Sequence, residues 1–250
     1  MKSFAQLFFL GILLIAINGC RKDQWNDCFQ STGSDITEIR LAGSFTKLKI
    51  GENFDIILTQ DTALPEEIKI TAGKNIIGEI VAKVKNNTLT IENINRCNFV
   101  RSYDRKITIE IRVKYLDDIE ILSVSNLTCL DTLHFELRNL KLKNYGLGDV
   151  NLKLIVGFLD VQTINSGNVY LEGFSNILSC SIEEVTQFDG RKLLCDDVYM
   201  DCHTPLDCFI NARNKLFARI YNNGNVFYVE QPQFNFELVE QKGKGQLLKL

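Results

Sequence analysis

The sequence predicts an all-β chain wound into a solenoid, with a β-sandwich as the rival architecture. Three observations lead there. Beyond residue 20 only six alanines occur (Ala42, Ala63, Ala72, Ala82, Ala212 and Ala218), so one strong helix former is scarce. Short runs rich in Ile, Val, Leu and Phe recur instead, punctuated by Asn, Gly and Asp. A Gly-Asx-Val motif also repeats at a spacing of roughly 20 residues, the range in which one coil of a solenoid repeats.

Taken in order, the chain divides at residues 19 and 40. Lys2 precedes an uncharged, mostly apolar run from Ser3 to Gly19, and Cys20 follows the small residue. A basic start, an apolar middle and a small residue at the end make a secretory signal. With its cysteine it resembles a bacterial lipoprotein signal, although Asn18 stands where such signals carry a small or apolar residue. That resemblance implies cleavage after residue 19 and lipidation of Cys20, whose acyl chains would be the membrane partner. At about 0.8 kcal/mol per buried methylene, two or more chains anchor firmly. Residues 20–40 read as a polar tether, and residues 41–250 as the folded domain.

Within that domain Phe45–Ile50, Phe54–Leu58, Ile107–Val113 and Val226–Val229 read as strands. The repeat is carried by Leu142–Val150, Val161–Val169 and Ala218–Val226, each a strand, then Gly-Asp or Gly-Asn, then a strand opened by valine. Val198–Leu206 occupies the same slot without the glycine. Asn and Gly tolerate the left-handed backbone of a sharp corner, and each coil buries its inward side chains only by stacking on the next. Val150, Val169 and Val226 are therefore expected to point into one core.

Several further segments resemble the "putative autotransporter adhesin, head GIN domain" family of Bacteroidetes. They are Ser44–Gln60, Ile68–Asn75, Asn87–Ile91, Asn95-Arg96-Cys97, Tyr115–Ile119, the Gly-Asx-Val copies and Gly243-Lys244-Gly245, in the family's order over residues 41–250. The resemblance implies a right-handed parallel β-helix in an exported outer-membrane lipoprotein of the cell envelope, on its periplasmic or surface face. It supplies no catalytic residue. Residues 177–208 depart from the pattern: Glu183-Glu184 replaces glycine and extra cysteines appear.

Composition and motifs bound the function. The formal charge of −3 gives no electrostatic basis for binding nucleic acid. Seven cysteines follow Cys20, an odd number in a chain whose export permits disulfides. Cys28 and Cys97, both in polar surroundings, are the disulfide candidates. The pairing of Cys129, Cys180, Cys195, Cys202 and Cys208 is left open. Cys195, Cys202, His203 and Cys208 match no standard zinc spacing, so neither a metal nor a cofactor is expected. The only histidines are His134 and His203, and no nucleophile elbow, phosphate loop or metalloprotease motif occurs. The acidic pairs Asp117-Asp118, Glu183-Glu184 and Asp196-Asp197 could serve a polysaccharide lyase or glycoside hydrolase on this scaffold only if acids from neighbouring coils converged. Adjacent strand residues point to opposite faces. Asp61-Thr62-Ala63 resembles the O-glycosylation sequon of exported Bacteroidetes proteins, which makes Thr62 a candidate site. The reading that emerges is a non-enzymatic, lipid-anchored envelope protein displaying a β-helix surface for glycan or protein ligands, with the enzyme as the alternative.

Overall fold

The computed structural model describes residues 31–95 and 106–250, and apart from a 3-10 turn at Ile77–Glu79 all its regular structure is strand. The strands are β1 (Asp35–Leu41), β2 (Lys47–Ile50), β3 (Asp55–Gln60), β4 (Glu67–Gly73), β5 (Ile80–Lys85), β6 (Thr88–Asn93), β7 (Thr108–Val113), β8 (Asp118–Ile121) and β9 (Asn126–Cys129). Then come β10 (Leu133–Asn144), β11 (Val150–Thr163), β12 (Val169–Ile182), β13 (Phe188–Cys202), β14 (Cys208–Ile220), β15 (Val226–Tyr228), β16 (Asn235–Gln241) and β17 (Leu247–Lys249).

From β10 onward the architecture is a regular β-solenoid. Each long strand lies parallel on the next, β10 on β11 through to β13 on β14, and β14 is covered by β15 and β16. Within a long strand the side chains alternate inward and outward, except where two or three successive residues face out; β12 has such a slip at Glu172-Gly173-Phe174 and β13 at Arg191-Lys192, and another recurs at one level on every coil. In β11 this is Gly157-Phe158, in β12 Asn176-Ile177, in β13 Asp196-Asp197 and in β14 Arg213-Asn214-Lys215. These slips of the two-residue period are where the strand turns from one flank of the solenoid to the next.

The valines of the repeat stack as expected. Val150 pairs with Val169, Val169 with Phe188, Phe188 with Cys208, and Cys208 with Val226, and all five side chains are buried. A single parallel column of this kind is a solenoid feature and excludes the sandwich. A second inward column runs through Ile119, Leu142, Val161, Cys180, Met200 and Ala218. Fully burying one such aliphatic side chain contributes about 1.5–3 kcal/mol.

The corner glycines have a different cause from the one the sequence suggested. Among the described glycines only Gly33 and Gly173 have a left-handed φ, and neither belongs to the repeat. Gly148, Gly167, Gly224 and Gly245 are needed because coils pack so closely there. A Cβ on Gly148 would overlap the Ser125 carbonyl, and one on Gly167 the Gly148 carbonyl. Where Glu183-Glu184 departs from the motif, Glu184 takes the left-handed φ of 52°. The register is kept by two buried threonines: the Thr186 hydroxyl donates to the Asn165 carbonyl at 2.8 Å and the Thr204 hydroxyl to the Thr186 carbonyl at 3.0 Å.

The N-terminal end is built differently. The layer β2–β3 lies between the later layers β6–β7 and β8–β9, with parallel pairing on both sides. Antiparallel strands close this end: β4 and then β1 extend the flank that carries β7, and β5 extends the flank that carries β6. β1 takes in residues 35–40 of the segment read as a tether. Arg40 fixes it, its guanidinium donating to the Ile77 carbonyl at 3.0 Å and to the Ile80 carbonyl. Ile76, Ile77 and Ile80 are buried beneath this cap.

Candidate functional site

The Asx residue of each repeat is structural. Its side-chain oxygen accepts the backbone N–H of the residue at the equivalent corner one coil further on. Asn126 accepts from Asp149, Asp149 from Asn168, and Asn168 from Gln187, at 3.0–3.2 Å. The ladder resumes with Asp207 accepting from Asn225 and Asn225 from Gln246, each at 3.0 Å. These side chains satisfy donors at corners where a strand ladder is interrupted.

Most of the carboxylates singled out in the sequence are also committed between coils. Asp118 faces the Lys143 ammonium at 3.0 Å, Asp117 the Arg138 guanidinium at 3.5 Å, and Asp197 the Lys215 ammonium at 2.8 Å. Asp196 accepts from Arg213 Nε at 2.7 Å. The register shift at Cys195/Asp197 puts Asp196 and Asp197 on the outer surface together, against the strict alternation expected of neighbours on a strand. Each is nevertheless matched by a base on the next coil, so neither is left facing another acid across a groove; the third pair, Glu183-Glu184, has no ion pair among the described residues.

The four late cysteines lie in the core. Cys180, Cys195, Cys202 and Cys208 are buried, Cys129 is half-buried, and all five are free thiols. Burial pushes the Cys180 and Cys195 thiols well up, and a hydrogen bond with Cys202 together with burial does the same at Cys208. The same hydrogen bond acts in the opposite direction on Cys202, whose pKa it lowers. A thiol held protonated in an apolar core, as at Cys180 and Cys195, is a poor nucleophile and metal ligand. His203 lies outside, its ring stacked on Tyr221 at 4.2 Å. Among the described residues no group of three or more His, Cys, Asp or Glu could hold a metal ion. His134 is exposed on β10, where its backbone N–H donates to Gln60 and its carbonyl accepts from the same amide.

Thr62 sits exposed in the turn after β3. The preceding Asp61 carboxylate accepts the Ala63 and Leu64 N–H groups at 2.8 and 3.1 Å, which holds its pKa below the ordinary range. Cys20, Cys28 and Cys97 lie outside the described residues.

Among the described residues two shallow depressions stand out on the outer surface. One, about 620 Å³, lies where the long strands turn and is lined by Asn176, Ile177, Asp196, Asp197, Asn214, Lys215, Phe234 and Asn235. Register stacks Ile177, Asp197, Lys215 and Asn235 on successive coils, with Asn176, Asp196, Asn214 and Phe234 just before them. The second, about 480 Å³, lies on the flank of β3, β9 and β11 beside Tyr170. The sequence held no sign of either, because a lone Asn between strands reads as a turn residue and its column appears only once the register is known.

The "Putative auto-transporter adhesin, head GIN domain" family model matches residues 44–232. The chain belongs to this family. Comparison with curated proteins finds no match. Among solved structures, a putative adhesin from Bacteroides fragilis aligns with a TM-score of 0.79 at 23% identity, covering 88% of this chain and all of that one. A putative adhesin from Parabacteroides merdae aligns at 0.66 with 18% identity, covering 87% and 97%. A protein described as a putative lipid binding protein, from Parabacteroides distasonis, aligns at 0.63 with 14% identity over the same shares. At these identities the likeness to these structures shows a shared fold alone. Their differing descriptions show why a fold does not fix a function.

Proposed function

We propose that this family member is a non-enzymatic, lipid-anchored protein of the cell envelope that displays the flank of its solenoid to glycan or protein ligands. One observation carries the reading: Asp117, Asp118, Asp196 and Asp197, four of the six acids that a hydrolase or lyase would need converged, are spent as inter-coil ion pairs, while polar and aromatic side chains are presented outward coil after coil. A stiff surface with one repeat per coil suits a repetitive ligand. Acyl chains at Cys20 would hold it at the outer membrane, with residues before β1 as the spacer. A Cys28–Cys97 bridge would tie that spacer to the connection between β6 and β7, and peptide mapping without reductant should recover it.

The test is adherence and fractionation together. Bacteria producing the full chain should bind a mucin-coated surface, and the protein should sediment with membranes after a carbonate wash. Cys20→Ala should release the protein and abolish adherence. A variant that still sediments would overturn the anchor. Shortened products from a polysaccharide incubated with the protein would overturn the non-enzymatic reading. An O-linked sugar at Thr62 should appear as added mass on the protein from its native host and vanish in Thr62→Ala.

A further inference from the structure

We propose that the depression at the strand bends of β12, β13 and β14 binds a neutral, hydroxyl-rich glycan in extended form. This deepens the display reading above and rests on it. Four features of the depression point to this ligand.

First, its amides are unspent. The Asn176, Asn214 and Asn235 side chains make no hydrogen bond to any described residue. Each amide offers two donors and an acceptor, a match for sugar hydroxyls, which both donate and accept. The other depression has one such amide, Asn151, but its remaining polar groups are largely engaged. There Asp55 is bound by Asn126 and Lys106, Thr128 donates to the Ile56 carbonyl, and Asp149 caps the next coil.

Second, its charges cancel locally. Lys215 is neutralised by Asp197 and Arg213 by Asp196, and the Arg213 guanidinium is further steadied 5.7 Å over the Phe174 ring. No lining cation is left to attract a carboxylated or sulfated sugar, so the site favours an uncharged one. The paired carboxylates keep lone pairs that can accept hydroxyl protons.

Third, an aromatic ring stands at its edge without a cover. Phe234 is 72% exposed, and its backbone N–H is fixed on the Asn214 carbonyl at 3.0 Å. An exposed ring on an anchored backbone is a platform for the C–H face of a pyranose. Phe234 and Asn235 come just after the family match ends at residue 232, so this platform belongs to the chain's own terminal coil.

Fourth, the spacing fits. Asn176, Asp196 and Asn214 lie on consecutive coils, and neighbouring strands are about 4.8 Å apart, close to the advance of one sugar in an extended chain. The depression is open, which suits a polymer passing across it better than a single sugar sealed inside.

The experiment is affinity electrophoresis of the full chain through gels containing β-glucan, xylan or mannan, with polygalacturonate as the anionic comparison. At least one neutral polymer should retard the protein. Asn176→Ala/Asn214→Ala and Phe234→Ala should each weaken that retardation about tenfold, a loss in keeping with removed hydrogen bonds or ring contact. Asn151→Ala, in the other depression, should leave it unchanged. These side chains are on the surface, so circular dichroism should show wild-type melting in every variant. Retardation by polygalacturonate alone would overturn the neutral ligand. Neutral retardation indifferent to the variants would overturn this site and leave the display reading standing. No retardation in any gel would overturn the proposal, and the mucin adherence assay would then judge the display reading separately.

Discussion

Glycine in this chain is chosen for contact distance. Gly148 has no room for a Cβ beside the Ser125 carbonyl, whereas Gly43 has no atom within 4 Å of where its Cβ would be. Gly148→Ala should therefore cost about 1–3 kcal/mol through overpacking, and Gly43→Ala should be close to neutral. Thermal melts check this, since for a chain of this size each kcal/mol moves the midpoint by roughly 2–4 °C. Equal melting of the two variants would refute the close-approach account. Asp189 gives a pH-dependent counterpart. The Arg191 side chain beside it holds its carboxyl below the ordinary carboxylate range. The stabilisation this brings is full above the unfolded pKa of about 3.9 and is lost as pH falls through the lower folded value. Asp189→Asn should thus be less stable than the wild type at pH 6 by no more than about 1 kcal/mol, and the gap should be narrower at pH 3. Denaturant titrations at both values decide it: a gap that widens in acid reverses the sign.

An element of this fold is one turn of the coil, and its inward valine is the position least able to change. Val169 is fully buried between Val150 and Phe188. Val169→Asp would place a carboxylate in that column with no partner, at a cost of several kcal/mol unless it stays protonated. The purified variant should unfold at clearly lower denaturant; wild-type unfolding would mean the residue faces solvent. Asn168→Ala is a milder companion, removing the acceptor for the Gln187 N–H at a cost of about 0.5–1.5 kcal/mol. At this scale much of the fold was legible. The Gly-Asx-Val spacing identified the coil, and the valine its inward side, because periodicity in sequence is periodicity in space for a solenoid. The 177–208 segment was opaque for a physical reason: Thr186 and Thr204 keep the corner by donating hydroxyls to carbonyls, and a threonine carries no mark that separates this use from a strand position. The columns of Asn176, Asp196 and Asn214 were hidden too, since they depend on a slip in alternation that residue types do not announce.

At the scale of the whole molecule the two ends are unlike. One is closed by β1, β4, β5 and the buried Ile76, Ile77 and Ile80; at the other Phe234, Phe236, Leu238, Val239 and Leu250 remain exposed around β16 and β17. Each coil of a solenoid is stabilised by its neighbours alone, so unfolding proceeds from an end inward. Hydrogen exchange should therefore be fastest in β16 and β17, slower in β14, and slowest in β11 to β13. Uniform protection along the chain would mean that the molecule opens as one unit. The order of the N-terminal layers was not legible at all. β2–β3, β6–β7 and β8–β9 present similar apolar runs, and nothing in their residues says that the first made is the middle one in the stack.

That interleaving sets a timetable for a chain delivered from its N-terminus. Phe54 and Ser125, joined through the buried serine hydroxyl, are 71 residues apart, whereas Asp149 and Asn168 are 19 apart. The β2–β3 layer must wait, with both edges open, until β6–β7 and β8–β9 have been made. Every later coil can then settle on a finished surface as soon as its own residues arrive. Loop-closure entropy makes the long wait the slow event and the later additions fast. The seed of the molecule is thus its most delayed structure, and a pause in synthesis before residue 129 would leave exposed, unpaired strands, whereas a pause after it would leave only a shorter solenoid.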